Sequence, residues 1–378
     1  MPDILPAPVR RRWNARSVAA RKAGSGWFGI VGWLAANGLG RERVNTGDRG
    51  STSGANRKRL LLPTTMSRAG WAVVEARDDV EGIPFAPTVP RAELHRLLED
   101  VAGVALGVQP FSDPELDAAA ALEVVSRIGV GYDAVDVPAL TRRKIPLMIG
   151  GTANSVSVAE AGVFLIMSLA RRGAAMDALV REGRWHDRYN QMPLDLYGKT
   201  VLIVGFGKIG TRSAKRFAAM ETNVLVYDPY IYSETIRGMG YEPVGNLDAA
   251  VARADFITIH CPKTPETVGL FDAARLGRMK RSAFIVNTAR GGIIDEKALY
   301  DALKANRIAG AALDVFVEEP TPPDNPLLTL PNFIAAPHVA GVTREAVDRM
   351  GVAAVQNILS VLDGKPIREN VVNREVLD

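Results

Sequence analysis

Exchanging a proton at oxygen as a carbonyl becomes a hydroxyl calls for an imidazole or a similar group, and holding a carboxylate calls for a planar cation. Candidates of both kinds can be taken one by one, because the 378 residues contain four histidines and one cysteine. His95 lies beside Arg96 in a helical stretch and reads as a surface residue. His186, between Trp185 and Asp187, reads as a packing or interface residue of a polar loop. His260 follows the strand run Asp255–Ile259; it either shapes a pocket or is a structural histidine with its bonds satisfied. His338 follows Pro337 and a short apolar run and precedes Val339-Ala340-Gly341, where a domain junction and its crevice are expected. Arg290, in Asn287-Thr288-Ala289-Arg290-Gly291-Gly292, directly follows another strand run. An arginine flanked by glycines is costly to place unless it meets an anion, and its fork suits a carboxylate. Asp314 and Glu319 follow the next run, in Leu313–Pro320. A carboxylate beside an imidazole fixes its tautomer and favours its protonated form. Each residue alone also reads as a surface ion or a cap, but all of them after consecutive strands of one sheet form a pattern.

A second constellation says what those groups would work beside. Val201–Val204 is followed at once by Gly205-Phe206-Gly207-Lys208-Ile209-Gly210, then by a helical stretch, a strand run Val224–Tyr227 and Asp228. Gly205 permits the tight turn, Gly207 lets the backbone approach a pyrophosphate, and Gly210 lets helix pack on strand. The helix start offers N–H groups and a positive dipole end to phosphates. Asp228, 23 residues after Gly205, stands where a carboxylate accepts bonds from a ribose. It would repel a 2′-phosphate, so NAD is expected over NADP. A bare glycine pattern is weak evidence; strand, glycines, helix, strand and acid in order are specific. Beside a nicotinamide, hydride transfer needs no protein nucleophile, only a group to orient the substrate and one to exchange a proton.

The elements that would position these residues alternate. Strands are expected at Leu60–Leu62, Gly103–Leu106, Glu123–Ile128 and Ile145–Met148, with helices at Arg91–Val101 and Asp136–Arg143. Val156–Ala170 is expected as a long helix, apolar on most sides and so buried between layers. A second series follows: strands Thr200–Val204, Asn223–Tyr227, Asp255–Ile259, Ala283–Val286, Ala309–Leu313 and Phe333–Ala335, with helices Lys208–Met220 and Asp295–Lys304. A last helix, Val342–Asp363, is expected to be capped at or near Thr343. Alternation of this kind implies an α/β fold with parallel sheets.

The segments Gly205–Gly210, Asn287–Asp295, Leu313–Pro320 and Pro337–Gly341 resemble those of the D-isomer-specific 2-hydroxyacid dehydrogenases. Ser126–Asp133 and Asn154–Glu160 resemble the family's substrate-side loops, and the likeness runs from about Arg57 to Lys365. The resemblance implies two Rossmann-like domains with doubly wound sheets. Residues 58–157 and 342–378 would form a substrate domain discontinuous in sequence, and 158–341 an NAD-binding domain. It implies that Arg290 holds the substrate carboxylate and carbonyl oxygen, that His338 is the acid/base and that Glu319 pairs with it. Asp314, Thr288 and Cys261 would line the cofactor with the glycine motif, including Lys208 and Ile209. Val130, Gly131 and Asn154 would meet a small 2-keto or 2-hydroxy acid. A homodimer is implied, and Glu319 argues against formate oxidation, since the family's formate enzymes carry Gln there. The chain ends soon after its last expected helix, which implies no regulatory extension of the long phosphoglycerate dehydrogenases. Some relatives are NAD-responsive transcriptional corepressors, which leaves an NAD(H)-gated interaction protein as the alternative function.

Composition bounds the rest. The chain is 47% hydrophobic and 23% charged, which is globular. It exceeds the roughly 250–300 residues at which one core divides. No apolar run approaches the ~18–20 residues of a membrane helix, so no membrane partner is expected. One cysteine, Cys261, excludes an internal disulfide and a thiolate-only zinc site, and a reducing cytoplasm is expected, with no metal. Residues 1–59 carry twelve Lys/Arg against three acids, while the remainder is net −5. A nucleic-acid reader would need a basic face on the body, so none is expected. The basic segment 1–57 is expected to be a disordered extension, with a targeting peptide or a basic interaction arm as alternatives.

Overall fold

In a computed structural model, residues 57–190 and 192–378 are described. Residues 1–56, and with them the readings of the basic extension, lie outside the described residues. The first series of apolar runs becomes β1 (Lys58–Pro63), β2 (Val80–Phe85), β3 (Val101–Leu106), β4 (Val124–Arg127) and β5 (Leu147–Met148). They form a parallel sheet in the order β2-β1-β3-β4-β5. The second series becomes β6 (Thr200–Val204), β7 (Asn223–Tyr227), β8 (Glu242–Pro243), β9 (Phe256–Ile259), β10 (Phe284–Asn287), β11 (Gly310–Leu313) and β12 (Phe333–Ala335). Their order is β12-β11-β10-β9-β6-β7-β8, again parallel. The fold is therefore α/β with parallel sheets, as the alternation predicts, and both sheets are doubly wound and Rossmann-like, as the resemblance implies. Strand order reverses between β1 and β3 in one sheet and between β6 and β9 in the other. The carboxyl ends at such reversals open into ligand crevices.

Among the elements that escape the sequence reading, two shape the first sheet. β2 carries Gly82 and Pro84, which argue against a central strand; it is an edge strand, where proline is tolerated. The helix Arg68–Glu75 is short and capped by Ser67, whose Oγ accepts from Gly70 N. A Cβ at Gly70 would lie 2.9 Å from the Gly351 carbonyl carbon. That close approach brings the C-terminal helix, Arg344–Leu362, onto the first sheet. Its Ala354, Val355, Ile358 and Leu359 share a core with Leu60, Leu62 and Val124. Thr343 caps this helix, its Oγ1 accepting from Ala346 N at 3.1 Å.

The long helix observed is Ser155–Arg171. Leu165, Ile166 and Leu169 pack against Val201, Ile203 and Phe217 of the second sheet and its helix. Nine of its residues are buried and only Glu160, Phe164 and Arg171 are exposed, so the expected burial on most sides holds except along that one stripe. Among the described residues no helix is long and apolar enough to cross a membrane.

Candidate active site

The glycine turn at the end of β6 is shaped by its neighbours. Gly205 has φ +92°, and a Cβ there would meet the Cys261 backbone nitrogen at 2.5 Å. Gly210 opens the helix Gly210–Ala219 and lies too close to the Gly205 carbonyl for any side chain. A Cβ at Gly207 would meet nothing within 4 Å, so its backbone faces open space. The N–H groups of Gly207, Lys208 and Ile209 find no acceptor among the described residues. A turn with spare donors at a helix start fits a pyrophosphate. Asp228, at the end of β7, accepts from Phe206 N at 2.7 Å and from Tyr230 N at 2.9 Å. Its carboxylate thus braces the turn as well as standing beside it. Two open cavities, of about 640 and 890 Å³, share Thr152 and Lys208 and so border the turn at one of its residues.

β9 ends at His260 and Cys261. His260 is half-buried, its Nε2 lies 3.1 Å from Thr258 Oγ1, and desolvation of its ring pushes the imidazole down to about 3. Its Nδ1 is buried without a partner, so the reading of a histidine with all its bonds satisfied does not hold. Burial also pushes the Cys261 thiol up to about 11, which favours the protonated thiol near neutral pH.

β10 ends at Asn287, which is 1% exposed and braces the following loop. Its Oδ1 accepts from Ala289 N and its Nδ2 donates to Arg290 O at 2.8 Å. Thr288 Oγ1 is buried without a partner, a free polar atom beside the crevice. Gly291 lies so close to the Phe316 carbonyl that any side chain would collide, which locks this loop to the one after β11. Arg290 points to the other sheet. Its Nε donates to Asp133 at 2.9 Å, its Nη1 to Ala289 O at 2.7 Å, and its Nη2 packs where a Gly131 side chain would be. Burial raises the Asp133 carboxyl, but Arg290 more than offsets this and holds it below its ordinary value.

The loops after β11 and β12 form one hydrogen-bonded unit. His338 Nδ1 lies 2.7 Å from Glu319 Oε2, while Glu319 Oε1 accepts from Phe316 N at 2.8 Å. The imidazole is fixed through Nδ1, and Nε2 meets no partner among the described residues. The His338 backbone is left-handed, φ +53°, a conformation that side-chain-bearing residues seldom adopt. Three bonds hold it there. His338 N donates to Asp314 O, and Val339 N and Ala340 N donate to the two Asp314 carboxylate oxygens, each at 2.8 Å. Asp314 is 1% exposed, and burial raises its carboxyl even though these N–H groups favour the charge. Its side chain therefore serves the histidine loop directly.

From the first sheet, Gly129, Val130 and Gly131 follow β4, and Gly131 reaches Arg290. Asn154, just before the long helix, has a buried Oδ1 without a partner, and its Nδ2 lies 2.9 Å from where a Gly341 Cβ would be. The expected residues thus fall into two joined groups, His338 with Glu319, Asp314 and Asn154, and Arg290 with Gly131. Asp133, Asn287 and Arg127 were missed as individual residues. Their signal lay in position, next to a glycine turn or at a strand's last residue.

A model of the D-isomer specific 2-hydroxyacid dehydrogenase NAD binding domain matches residues 163–340. A glyoxylate reductase of Korarchaeum cryptofilum is 38% identical over 295 residues, 77% of this chain and 88% of the relative. The chain belongs to that dehydrogenase family. A D-3-phosphoglycerate dehydrogenase of Archaeoglobus fulgidus is 40% identical over 284 residues, 75% of this chain. The chain spans about half of that relative's length, 53%. A solved structure of a protein from Thermus thermophilus superposes with a TM-score of 0.75 at 33% identity, covering 83% of this chain and 99% of that one. The family's NAD binding domain coincides with the second sheet and its glycine turn. The relatives named are dehydrogenases and reductases, and the corepressor alternative finds no support among them.

Proposed function

We propose that this protein is an NAD-dependent oxidoreductase interconverting a small D-2-hydroxy acid and its 2-keto acid. The observation that carries this reading is the Glu319–His338 pair, set on strand-end loops of the same sheet as Arg290 and the glycine turn. Gly205, Gly207, Lys208, Ile209 and Gly210 would hold the pyrophosphate and Asp228 the ribose, Cys261 and Thr288 would lie along the rest of the cofactor, and Asp314 would act at its nicotinamide end through the His338 loop it holds. Bound NADH supplies the hydride to C2 of the keto acid. Arg290 grips the carboxylate and polarises the ketone oxygen, with Val130, Gly131 and Asn154 around it. His338 Nε2 gives its proton to the new alkoxide, and Glu319 holds the cation that precedes this transfer. In the oxidative direction the same nitrogen takes the hydroxyl proton.

We assign residues 58–157 and 342–378 to a substrate domain and 158–341 to the nucleotide domain. The core shared by the C-terminal helix and β1 supports this. A homodimer is supported by an apolar strip that the chain leaves uncovered. The helix Gly173–Arg181 buries no residue, and Trp185, Tyr189, Met192 and Tyr197 are 58–73% exposed. An uncovered strip of this kind marks an interface. Sedimentation is expected to give twice the chain mass of 40.7 kDa, and a monomer would remove this reading. The cytoplasm suits the single free thiol.

The direct test follows NADH absorbance with glyoxylate, hydroxypyruvate, pyruvate and bulkier keto acids. Turnover of one of them is expected; tight NADH binding with no turnover across the panel refutes the reading. NAD preference is tested at Asp228. Asp228→Ala removes the charge that repels a 2′-phosphate, so the NAD/NADP ratio of kcat/KM is expected to fall about tenfold or more. A strict preference persisting in that variant would assign the discrimination to other residues.

A further inference from the structure

Arg127, the last residue of β4, is only 8% exposed. Its Nε donates to Gly131 O at 2.7 Å and its Nη1 to Leu106 O at 2.9 Å. Among the described residues no carboxylate forms an ion pair with it. Burying a guanidinium against carbonyls alone is costly, so its presence here calls for a compensating charge. Burial and then the nearby Arg290 charge pull Arg127 down to about 10, with Asp133 offsetting part of this.

The turn that Arg127 holds is itself short of acceptors. The N–H groups of Val130, Gly131 and Tyr132 meet none among the described residues. Clustered backbone donors of this kind form a concavity for an anion. Gly131 O is drawn toward Arg127, and because the peptide is planar and trans, the N–H of Tyr132 is directed the other way. Arg127, Arg290 and Asp133 together carry one positive charge in excess, which a single carboxylate neutralises.

We propose that Arg127 is a positioning residue of the substrate-carboxylate site: it pins the Gly129–Gly131 turn to the end of β3 and adds a buried positive charge that the incoming carboxylate completes. This rests on Arg290 being the carboxylate's ligand. It extends that reading, since Arg127 acts through the turn and the field and not by touching substrate.

The test compares Arg127→Gln and Arg127→Lys with the unaltered protein. The keto acid is the one the unaltered protein reduces best, and oxalate serves as the anion probe. In Arg127→Gln, KM for the keto acid and Ki for oxalate are expected to rise about 10- to 100-fold, the worth of hydrogen bonds to a charged group. kcat and NADH affinity are expected to change less than about threefold, because neither the proton donor nor the glycine turn is altered. Arg127→Lys, which keeps the charge and loses the directed fork, is expected to recover part of the oxalate affinity. Oxalate affinity unchanged in folded Arg127→Gln overturns the proposal. So does a parallel loss of kcat, NADH affinity and KM that lysine does not repair, which is the mark of a merely structural residue. The anion-induced rise in melting temperature reads oxalate binding without turnover. Failure of the proposed reaction, seen as no turnover by the unaltered protein, is therefore told apart from failure at Arg127.

Discussion

His338→Gln is expected to lower kcat by about 10²- to 10⁴-fold, the usual contribution of one positioned proton donor. Glutamine offers an amide N–H near the alkoxide but no proton that leaves at neutral pH. NADH affinity is expected to stay within about threefold, since the glycine turn, Asp228 and Thr288 are untouched. A complication comes from the backbone. Residue 338 sits at φ +53°, and glutamine adopts that region less readily than histidine or asparagine. His338→Asn is therefore the cleaner variant, because it tolerates the left-handed turn and also lacks the proton. The two variants are expected to fall together. Near-normal turnover in both sinks the assignment. A large loss in glutamine with recovery in asparagine would show that the backbone turn, not the imidazole, was being tested. Glu319→Gln keeps a partner for Nδ1 but withdraws the negative charge at 2.7 Å, so a smaller loss of kcat is expected.

The strands and the parallel order of both sheets follow from short apolar runs closed by glycine, proline or a polar residue, and so do the loops that carry the site. Val201–Val204 before Gly205, and Phe284–Asn287 before Arg290, announce themselves in this way. What stayed hidden depends on partners far away in the chain. Gly70 looks like a helix breaker until Gly351 is placed against it, and Pro84 like a strand breaker until β2 is seen to be an edge. Asp314 reads as a ligand of the cofactor, but its two oxygens go to backbone N–H groups 25 and 26 residues on. Asp133 looks like an ordinary loop acid, and its pairing with Arg290 spans 157 residues. Residue types told which chemistry was available; only the fold told which charges compete for the same guanidinium.

Arg290→Ala is the other substitution with a large expected effect. Truncating one member of a charge pair that is taken out of water costs about 2–5 kcal/mol, which corresponds to about 30- to 5,000-fold in kcat/KM. Both KM and kcat should move, because the same side chain binds the carboxylate and polarises the ketone. Arg290→Lys should recover little, since a point charge cannot span carboxylate and carbonyl oxygens as the planar fork does. The free protein should lose little stability. Asp133, the partner left behind, has a side chain 62% exposed and can be solvated, and the repulsion felt by Arg127 is relieved. Gly131→Ala approaches the same point from the other sheet, because a methyl group there must displace Nη2 of Arg290. That variant is expected to raise KM about tenfold or more while leaving every charge in place. Steady-state kinetics on the three variants, with NADH affinity as the control, decides the matter. If efficiency survives in Arg290→Ala, the carboxylate is held elsewhere and the proposed orientation of the keto acid is wrong.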